Sequence, residues 1–253
     1  MFAQERHDEI LRRLAAAGKV TVKELCLAFG VTEDCIRKDL NKLEREKKLK
    51  RAYGGAIELR KKLTIAALDE RRTENIALKR RIAAKAFRLL TPGDHIFLDT
   101  STTNLLLADL IADSQLPLTV MTNMIDIVKA FDRSQTSTVL CTGGTYRPSI
   151  NGFVGALANA TIERYKFDKV FVGVGGLNLT EGYLTILEAE EGLTKKTIID
   201  AGRAVYLLME NRKFHFDAYY KFATTNDLTG IVSEEDPGEE IRAALAEQNI
   251  VLF

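Results

Sequence analysis

Residues 19–56, KVTVKELCLAFGVTEDCIRKDLNKLEREKKLKRAYGGA, decide the fold of the first quarter of the chain. Thr21 is placed to cap a helix, and Glu24 three residues on completes a capping box. That helix buries Val22, Leu25 and Phe29 and ends at Gly30, which supplies the backbone freedom for a left-handed cap. Thr32 then caps a third helix, 33–46, whose apolar positions Ile36, Leu40 and Leu43 recur at helical spacing. Arg37, Lys38 and Lys42 fall elsewhere on its surface. Upstream, Ile10, Leu11 and Leu14 predict an amphipathic helix over 4–17 that stops at Gly18. Downstream, residues 47–59, KKLKRAYGGAIEL, predict two short strands around a Gly-Gly turn. Helix, turn, helix and β-wing in this order make a winged helix-turn-helix.

Charge supports a nucleic-acid partner for this head. The 253-residue chain has a formal net charge of only +1. Residues 1–62 carry 16 Lys/Arg against 10 Asp/Glu, whereas residues 63–253 carry 20 against 25. A basic head on an acidic body points to an anionic polymer. The second helix of a helix-turn-helix enters the major groove with its N-terminal residues against base edges. Thr32, Glu33, Asp34, Cys35, Arg37 and Lys38 hold that position, with Lys42 further along. Arginine grips guanine in a bidentate way, while lysine more often meets phosphate. On the wing, Lys48, Lys50, Arg51 and Tyr53 are placed for the backbone or minor groove.

The length allows two domains with ordinary cores, and 46% hydrophobic with 28% charged residues fits a soluble globular protein. Cys26, Cys35 and Cys141 show no metal spacing, and the expectation is two core thiols and one on a turn or helix. No metal site or cofactor is expected. The start, MFAQERHDEILRRL, lacks an apolar signal core, and no run approaches the roughly 20 apolar residues of a membrane span. A cytoplasmic protein without membrane contact is expected.

The domains are expected at 1–59 and 76–253, joined by a charged linker, 60–75. From Ile76 the chain alternates helical and strand patterns. Helices are expected over Ile76–Leu90, Leu105–Ile111, Ile125–Phe131 and Ile241–Glu247. Strands are expected over His95–Leu98, Leu118–Met121, Thr138–Cys141, Lys169–Val174 and Val205–Met209. This is the signature of an α/β domain with a largely parallel sheet. Ligands in such sheets bind beyond the carboxyl ends of the strands. There the loop Asp99-Thr100-Ser101-Thr102-Thr103 offers hydroxyls and backbone N–H groups at a helix N-terminus, an anion site. Asn123, Gly143, Gly144 and Gly173 follow other strands, and together these loops suggest one cleft. Lys213 follows the strand ending at Met209 and could bring a positive charge.

Val31-Thr32 with Ile36-Arg37-Lys38-Asp39-Leu40 and Leu43-Glu44, then Leu49–Ala56, resemble the DeoR family of bacterial repressors. The resemblance continues through the Asp99–Thr103 loop, Val120–Asn123, Gly143–Arg147, Phe167–Gly173 and Arg212-Lys213-Phe214. It implies a winged helix-turn-helix followed by a sensor domain resembling ribose-5-phosphate isomerase and glucosamine-6-phosphate deaminase. It also implies an effector that is a phosphorylated sugar or sugar alcohol, which releases the protein from its operator. The implied effector site comprises Asp99, Ser101, Thr102, Thr103, Asn123, Gly143, Gly144, Arg147, Gly173 and Lys213. In the related isomerases a lysine at the place of Lys213 meets the phosphate.

The chain departs from the family pattern at Ser101, where glycine is usual, at Glu210, where aspartate is usual, and at Cys35, where threonine is common. Ser101 adds a side chain facing the anion site. The implied partners are double-stranded operator DNA, read by a homodimer or homotetramer, and the small-molecule effector. Thr119–Asn123 and Ile36–Leu40 most resemble the hexitol-operon branch. The alternative is a sugar-phosphate isomerase or deaminase with a DNA-binding head. It is disfavoured because Val172–Gly176 carries no carboxylate where the isomerases have Asp-Gly-Ala-Asp, and because His7, His95 and His215 form no acid–base set.

Overall fold

A computed structural model describes residues 2–58, 60–62, 68–114 and 116–253. Leu59, the last residue of the expected wing, and residues 63–67 of the expected linker lie outside the described residues. The chain divides into two compact units, Met1–Lys61 and Lys62–Phe253.

The first unit contains α1 (Ala3–Ala17), β1 (Lys19–Thr21), α2 (Val22–Phe29), α3 (Glu33–Arg45), β2 (Leu49–Ala52) and β3 (Gly55–Glu58). Local signals set its boundaries. The Thr21 hydroxyl accepts from Glu24 N at 3.1 Å while the Glu24 carboxylate accepts from Thr21 N at 3.0 Å, a closed capping box. Gly18 and Gly30 end α1 and α2 in the left-handed conformation. Ile36, Leu40 and Leu43 are fully buried with Ile10, Leu14, Leu25 and Leu49. At about 1.5–3 kcal/mol for each large side chain, this burial holds α3 against α1 and α2. Strand β3 pairs antiparallel with both β1 and β2. The hairpin turn is Tyr53-Gly54, not the expected Gly-Gly pair. Gly54 takes the positive φ, while Gly55 lies in the strand, where a Cβ would stand 2.0 Å from Val20 O.

The boundary strand β4 (Lys61–Lys62) and helix α4 (Leu68–Thr73) precede the α/β unit. That unit is built on a seven-stranded sheet of β5 (His95–Leu98), β6 (Thr119–Thr122), β7 (Thr138–Cys141), β10 (Phe167–Gly173), β13 (Gly202–Leu208), β16 (Gly230–Val232) and β17 (Val251–Leu252). All neighbours run parallel, in the order β17-β16-β13-β10-β5-β6-β7. Side-chain alternation sends Phe97, Val170 and Val172 to one face and Ile96, Leu98 and Phe171 to the other. On the Phe171 face the core is closed by α5 (Ile76–Phe87), α6 (Thr102–Asp113) and α7 (Ile125–Ala130). On the Val170 face it is closed by α8 (Ala156–Ile162), α9 (Ala189–Ala201) and α10 (Glu239–Glu247).

The remaining strands sit outside the main sheet. An antiparallel hairpin joins β8 (Thr145–Arg147) to β9 (Gly152–Val154), and β11 (Gly176–Asn178), β12 (Tyr183–Ile186) and β15 (Tyr220–Thr224) form a small antiparallel sheet. The short β14 covers Phe216–Asp217.

Two expectations need correction. Helix α5 ends at Phe87 and does not reach Leu90. The thiols do not divide into two in the core and one on a turn or helix: Cys26 packs half-buried against the first unit's core, Cys35 is half-buried in the first turn of α3, and Cys141 is exposed in β7. Within the expected linker, α4 and Glu74 fall in the second unit and line its cavity.

Candidate functional site

The head presents α3 and its wing as a surface of positive charge. Thr32 caps α3 through its hydroxyl to Cys35 N. Beyond it Glu33, Asp34, Arg37, Lys38 and Lys42 are exposed, as are Lys48, Lys50 and Tyr53 on the wing side, whereas Cys35 is half-buried. Two basic residues are tied up. Arg37 pairs with Glu33 at 2.8 Å, an exposed bond that a stronger anion can displace. Arg51 is half-buried. Its backbone N–H donates to the Glu44 carboxylate at 2.7 Å and its guanidinium to Asn41 Oδ1 at 3.2 Å. It therefore joins the wing to α3 and does not project from the surface as expected.

Beneath the surface, Asp39 of α3 accepts from Arg6 Nε at 2.5 Å and lies 2.9 Å from His7 Nε2. Burial pushes the Asp39 carboxyl up, but the Arg6 and His7 hydrogen bonds outweigh it and hold the group below the usual range. This cluster fixes the angle of α3 on α1.

The second unit holds a cavity of about 740 Å³ at the carboxyl ends of β5, β10 and β13. Its walls include Thr100–Thr103, Gly173–Gly175, the 148–151 turn, Glu188 and Glu191, and Arg71 and Arg72 of α4. Six basic side chains, Arg71, Arg72, Lys79, Lys195, Arg212 and Lys213, face four carboxylates, Glu74, Glu188, Glu191 and Glu210. The N-terminus of α6 opens at the same place, since Ser101 is its cap and Thr102 and Thr103 are its first residues. Backbone N–H groups and the helix dipole there favour an anion.

Lys213 donates to Val174 O at 2.7 Å. Burial pushes its ammonium down to about 8, opposed by Glu210 and reinforced by Lys79, Arg212 and Lys195. Lys79 is likewise pushed down by burial, with Glu210 and Glu74 opposing. Its ammonium donates to Arg71 O, and Arg71 in turn reaches Ser149 O at 3.0 Å, so α4, α5 and the 148–151 turn are laced together. Arg72 pairs with Asp126 of α7. Arg212 bridges Glu74 at 2.5 Å and Glu210 at 3.1 Å.

Of the expected effector residues, Ser101, Thr102, Thr103, Gly173 and Lys213 meet at this cavity. Ser101 spends its hydroxyl on Asn104 N, as a helix cap. The others stand elsewhere. Asp99 is fully buried and accepts from Asn104 Nδ2 at 2.7 Å, Gly173 N at 2.8 Å and the Lys195 ammonium, so it joins β5, β10, α6 and α9. Asn123 is buried and donates to Phe153 O. Arg147 is exposed and pairs with Glu190. Gly143 and Gly144 turn the chain into the β8–β9 hairpin, and at Gly144 a Cβ would stand 2.9 Å from Ala158 Cβ. These five are held by structural contacts away from the cavity lining: Asp99 and Asn123 by buried hydrogen bonds, Arg147 by an exposed ion pair, and Gly143 and Gly144 by the turn they make.

Sequence reasoning missed Arg71, Arg72, Glu74, Lys79, Glu191, Lys195 and Arg212. The signal for Glu191 and Lys195 was a charged i, i+4 pair followed by Ile198 and Ile199.

The DeoR-like helix-turn-helix model matches residues 6–62, and the DeoR C-terminal sensor domain model matches residues 74–235. The chain belongs to the DeoR family. A Bacillus subtilis (strain 168) protein described as an HTH-type transcriptional regulator, YulB, is 30% identical over 234 residues, covering 92% of this chain and 90% of the relative. The lactose phosphotransferase system repressor of Staphylococcus aureus (strain N315) is 30% identical over 247 residues, covering 95% and 96%. A putative aga operon transcriptional repressor of Escherichia coli O157:H7 is 29% identical over 233 residues, covering 91% and 86%.

Among solved structures, the tetrameric eIF2B-β2δ2 complex from C. thermophilum aligns with a TM-score of 0.50 at 14% identity, covering 96% of this chain and 72% of that one. Ribose 5-phosphate isomerase A from Methanocaldococcus jannaschii aligns with a TM-score of 0.42 at 15% identity over 55% of each chain. The first likeness is one of fold. No described helix of this DeoR-family chain is long and apolar enough to cross a membrane.

Proposed function

We propose that this chain is an operator-binding repressor, released from DNA by a phosphorylated sugar or sugar alcohol held in the cavity of its second unit. The observation that carries the reading is the N-terminus of α6 opening into a cavity at the carboxyl ends of a parallel sheet, with Lys79, Arg212 and Lys213 on its wall. A phosphate monoester suits backbone N–H groups at a helix N-terminus, and a volume of about 740 Å³ accommodates a sugar with its phosphate. In the head, α3 enters the major groove and the wing lies along the backbone. One such head per chain reads one half-site, so the working form is a homodimer or homotetramer. Two relatives are named as repressors, one of an aga operon and one of a lactose phosphotransferase system, which favours this reading over an enzyme. Because their named systems differ, the operon of this chain is not inherited from them. Within the class, a hexitol phosphate is the first compound to try.

The test is thermal unfolding against phosphorylated sugars and sugar alcohols beside their unphosphorylated forms. A ligand at 100 times its dissociation constant adds about 2.7 kcal/mol of stability. The same compound should then lower operator affinity in a gel-shift titration. Equal protection by phosphorylated and unphosphorylated forms, or protection without release, would overturn the reading.

A further inference from the structure

The buried carboxylates in and beneath the cavity are unequally served. Glu210 accepts from Asn75 Nδ2 at 2.5 Å and Arg212 Nε at 3.1 Å. Asp99, below the floor, takes donors from Asn104, Gly173 and Lys195. Glu191 differs. It lines the cavity, is only 7% exposed, and has Lys195 as its partner among the described residues, at 3.5 Å. A carboxylate has about four acceptor sites, and a buried one served by a single long ion pair is costly.

Lys195 is 2% exposed and spreads three N–H donors over two carboxylates, Asp99 and Glu191. A carboxylate with acceptor capacity beyond one long ion pair thus stands beside a donor shared between two carboxylates, on a wall that a ligand reaches. A hydroxyl group matches that pair, because it donates to one and accepts from the other.

We propose that Glu191, braced by Lys195, is the specificity element that reads the carbohydrate part of the effector and selects a neutral hydroxyl there over a carboxylate. The inference rests on the effector reading above and narrows it to phosphate esters of sugars and polyols, with phosphorylated sugar acids rejected. Burial pushes the Glu191 carboxyl up, and Asp99 adds to this, while Lys195 and Arg71 draw it down. A hydroxyl satisfies Glu191 in either protonation state. A ligand carboxylate meets a like charge unless one of the two carboxyls holds a proton, a condition that a hydroxyl does not impose.

The experiment compares three probes on the full chain by thermal unfolding: inorganic phosphate, sorbitol 6-phosphate and 6-phosphogluconate. The two esters share their carbon skeleton and differ at C1, which bears a hydroxyl in one and a carboxylate in the other. Wild type should bind sorbitol 6-phosphate at least tenfold more tightly. Glu191→Gln, whose amide can donate to a carboxylate, should shrink that ratio to threefold or less. Comparable affinity for both esters in wild type, or an unchanged ratio in E191Q, overturns the inference, and the wild-type comparison stands even if E191Q fails to fold. Protection by inorganic phosphate with neither ester protecting also overturns it, while leaving the anion site intact. No protection by any of the three overturns the effector reading itself and takes this inference with it.

Discussion

Lys213 should make the ligand-free protein less stable than its sheet permits. Its ammonium is half-buried among Lys79, Arg212 and Lys195, and burial lowers its pKa from 10.5 to about 8. At about 1.4 kcal/mol per pH unit, holding the charge at pH 7 costs the folded state about 3 kcal/mol, and solvent reaching the half-buried group reduces this. Lys213→Met removes the penalty but also the bond to Val174 O, worth about 1 kcal/mol. The variant should therefore be more stable at pH 7 by about 1–2 kcal/mol. The pH dependence carries the stronger test. Below pH 8 the lysine is charged in both folded and unfolded states, and the penalty is constant. Between about 8 and 10.5 the unfolded chain holds the proton that the folded one has lost, so wild-type stability rises with pH. K213M lacks that rise, and its advantage should fade by pH 10.5. Urea unfolding of both proteins at pH 7, 9 and 10.5 measures this. A variant less stable than wild type at pH 7, or a gap independent of pH, would refute the reasoning. The same variant should lose at least tenfold in affinity for a protective phosphate ester.

Arg37→Ala should leave thermal stability within about 0.5 kcal/mol, because its pair with Glu33 is exposed, yet lower operator affinity at least tenfold in a gel shift. Asp39→Ala removes the carboxylate that Arg6 and His7 share in a buried cluster and should destabilise the head by about 3–5 kcal/mol, read as early loss of the head in a thermal scan. Gly173→Ala places a Cβ 2.6 Å from Ser101 Cβ and should cost about 1–3 kcal/mol along with ester protection. Ser101→Gly in the same chain removes the obstructing atom and should restore both, and an additive double variant would show that the two residues do not meet.

The head was legible because its signals are short-range. Thr21, Glu24, Gly30 and Thr32 act within one turn of themselves, and Ile36, Leu40 and Leu43 mark one helical face. The parallel strands were legible as apolar runs. Helix α9 was not, because its buried side mixes Glu191, Gly192, Thr194 and Lys195 with Ile198 and Ile199 and shows no apolar stripe. The three-residue strands of the β8–β9 hairpin are too short for a two-residue period, and β12 and β15, no shorter than β5, β6 and β7, do not alternate buried with exposed residues.

The site was half legible for a related reason. Ser101, Thr102, Thr103 and Lys213 follow strands directly, and strand order alone brings them together. Asp99 and Asn123 occupy the same kind of position, but their partners, Lys195 and Phe153, come from distant sequence. Glu74 and Lys79 reach the cavity through Arg212 and Arg71, pairings that no local pattern announces.

Helix α4 has a consequence for the cavity. Arg71 stands ten residues after Lys61, the last residue of the first unit, and lines the cavity of the second. Its guanidinium holds Ser149 O and its carbonyl takes the Lys79 ammonium, so one short helix keys the 148–151 turn to α5. The chamber therefore owes part of its shape to residues that precede the sheet in sequence, and Arg71→Ala should loosen that wall without altering any sheet strand.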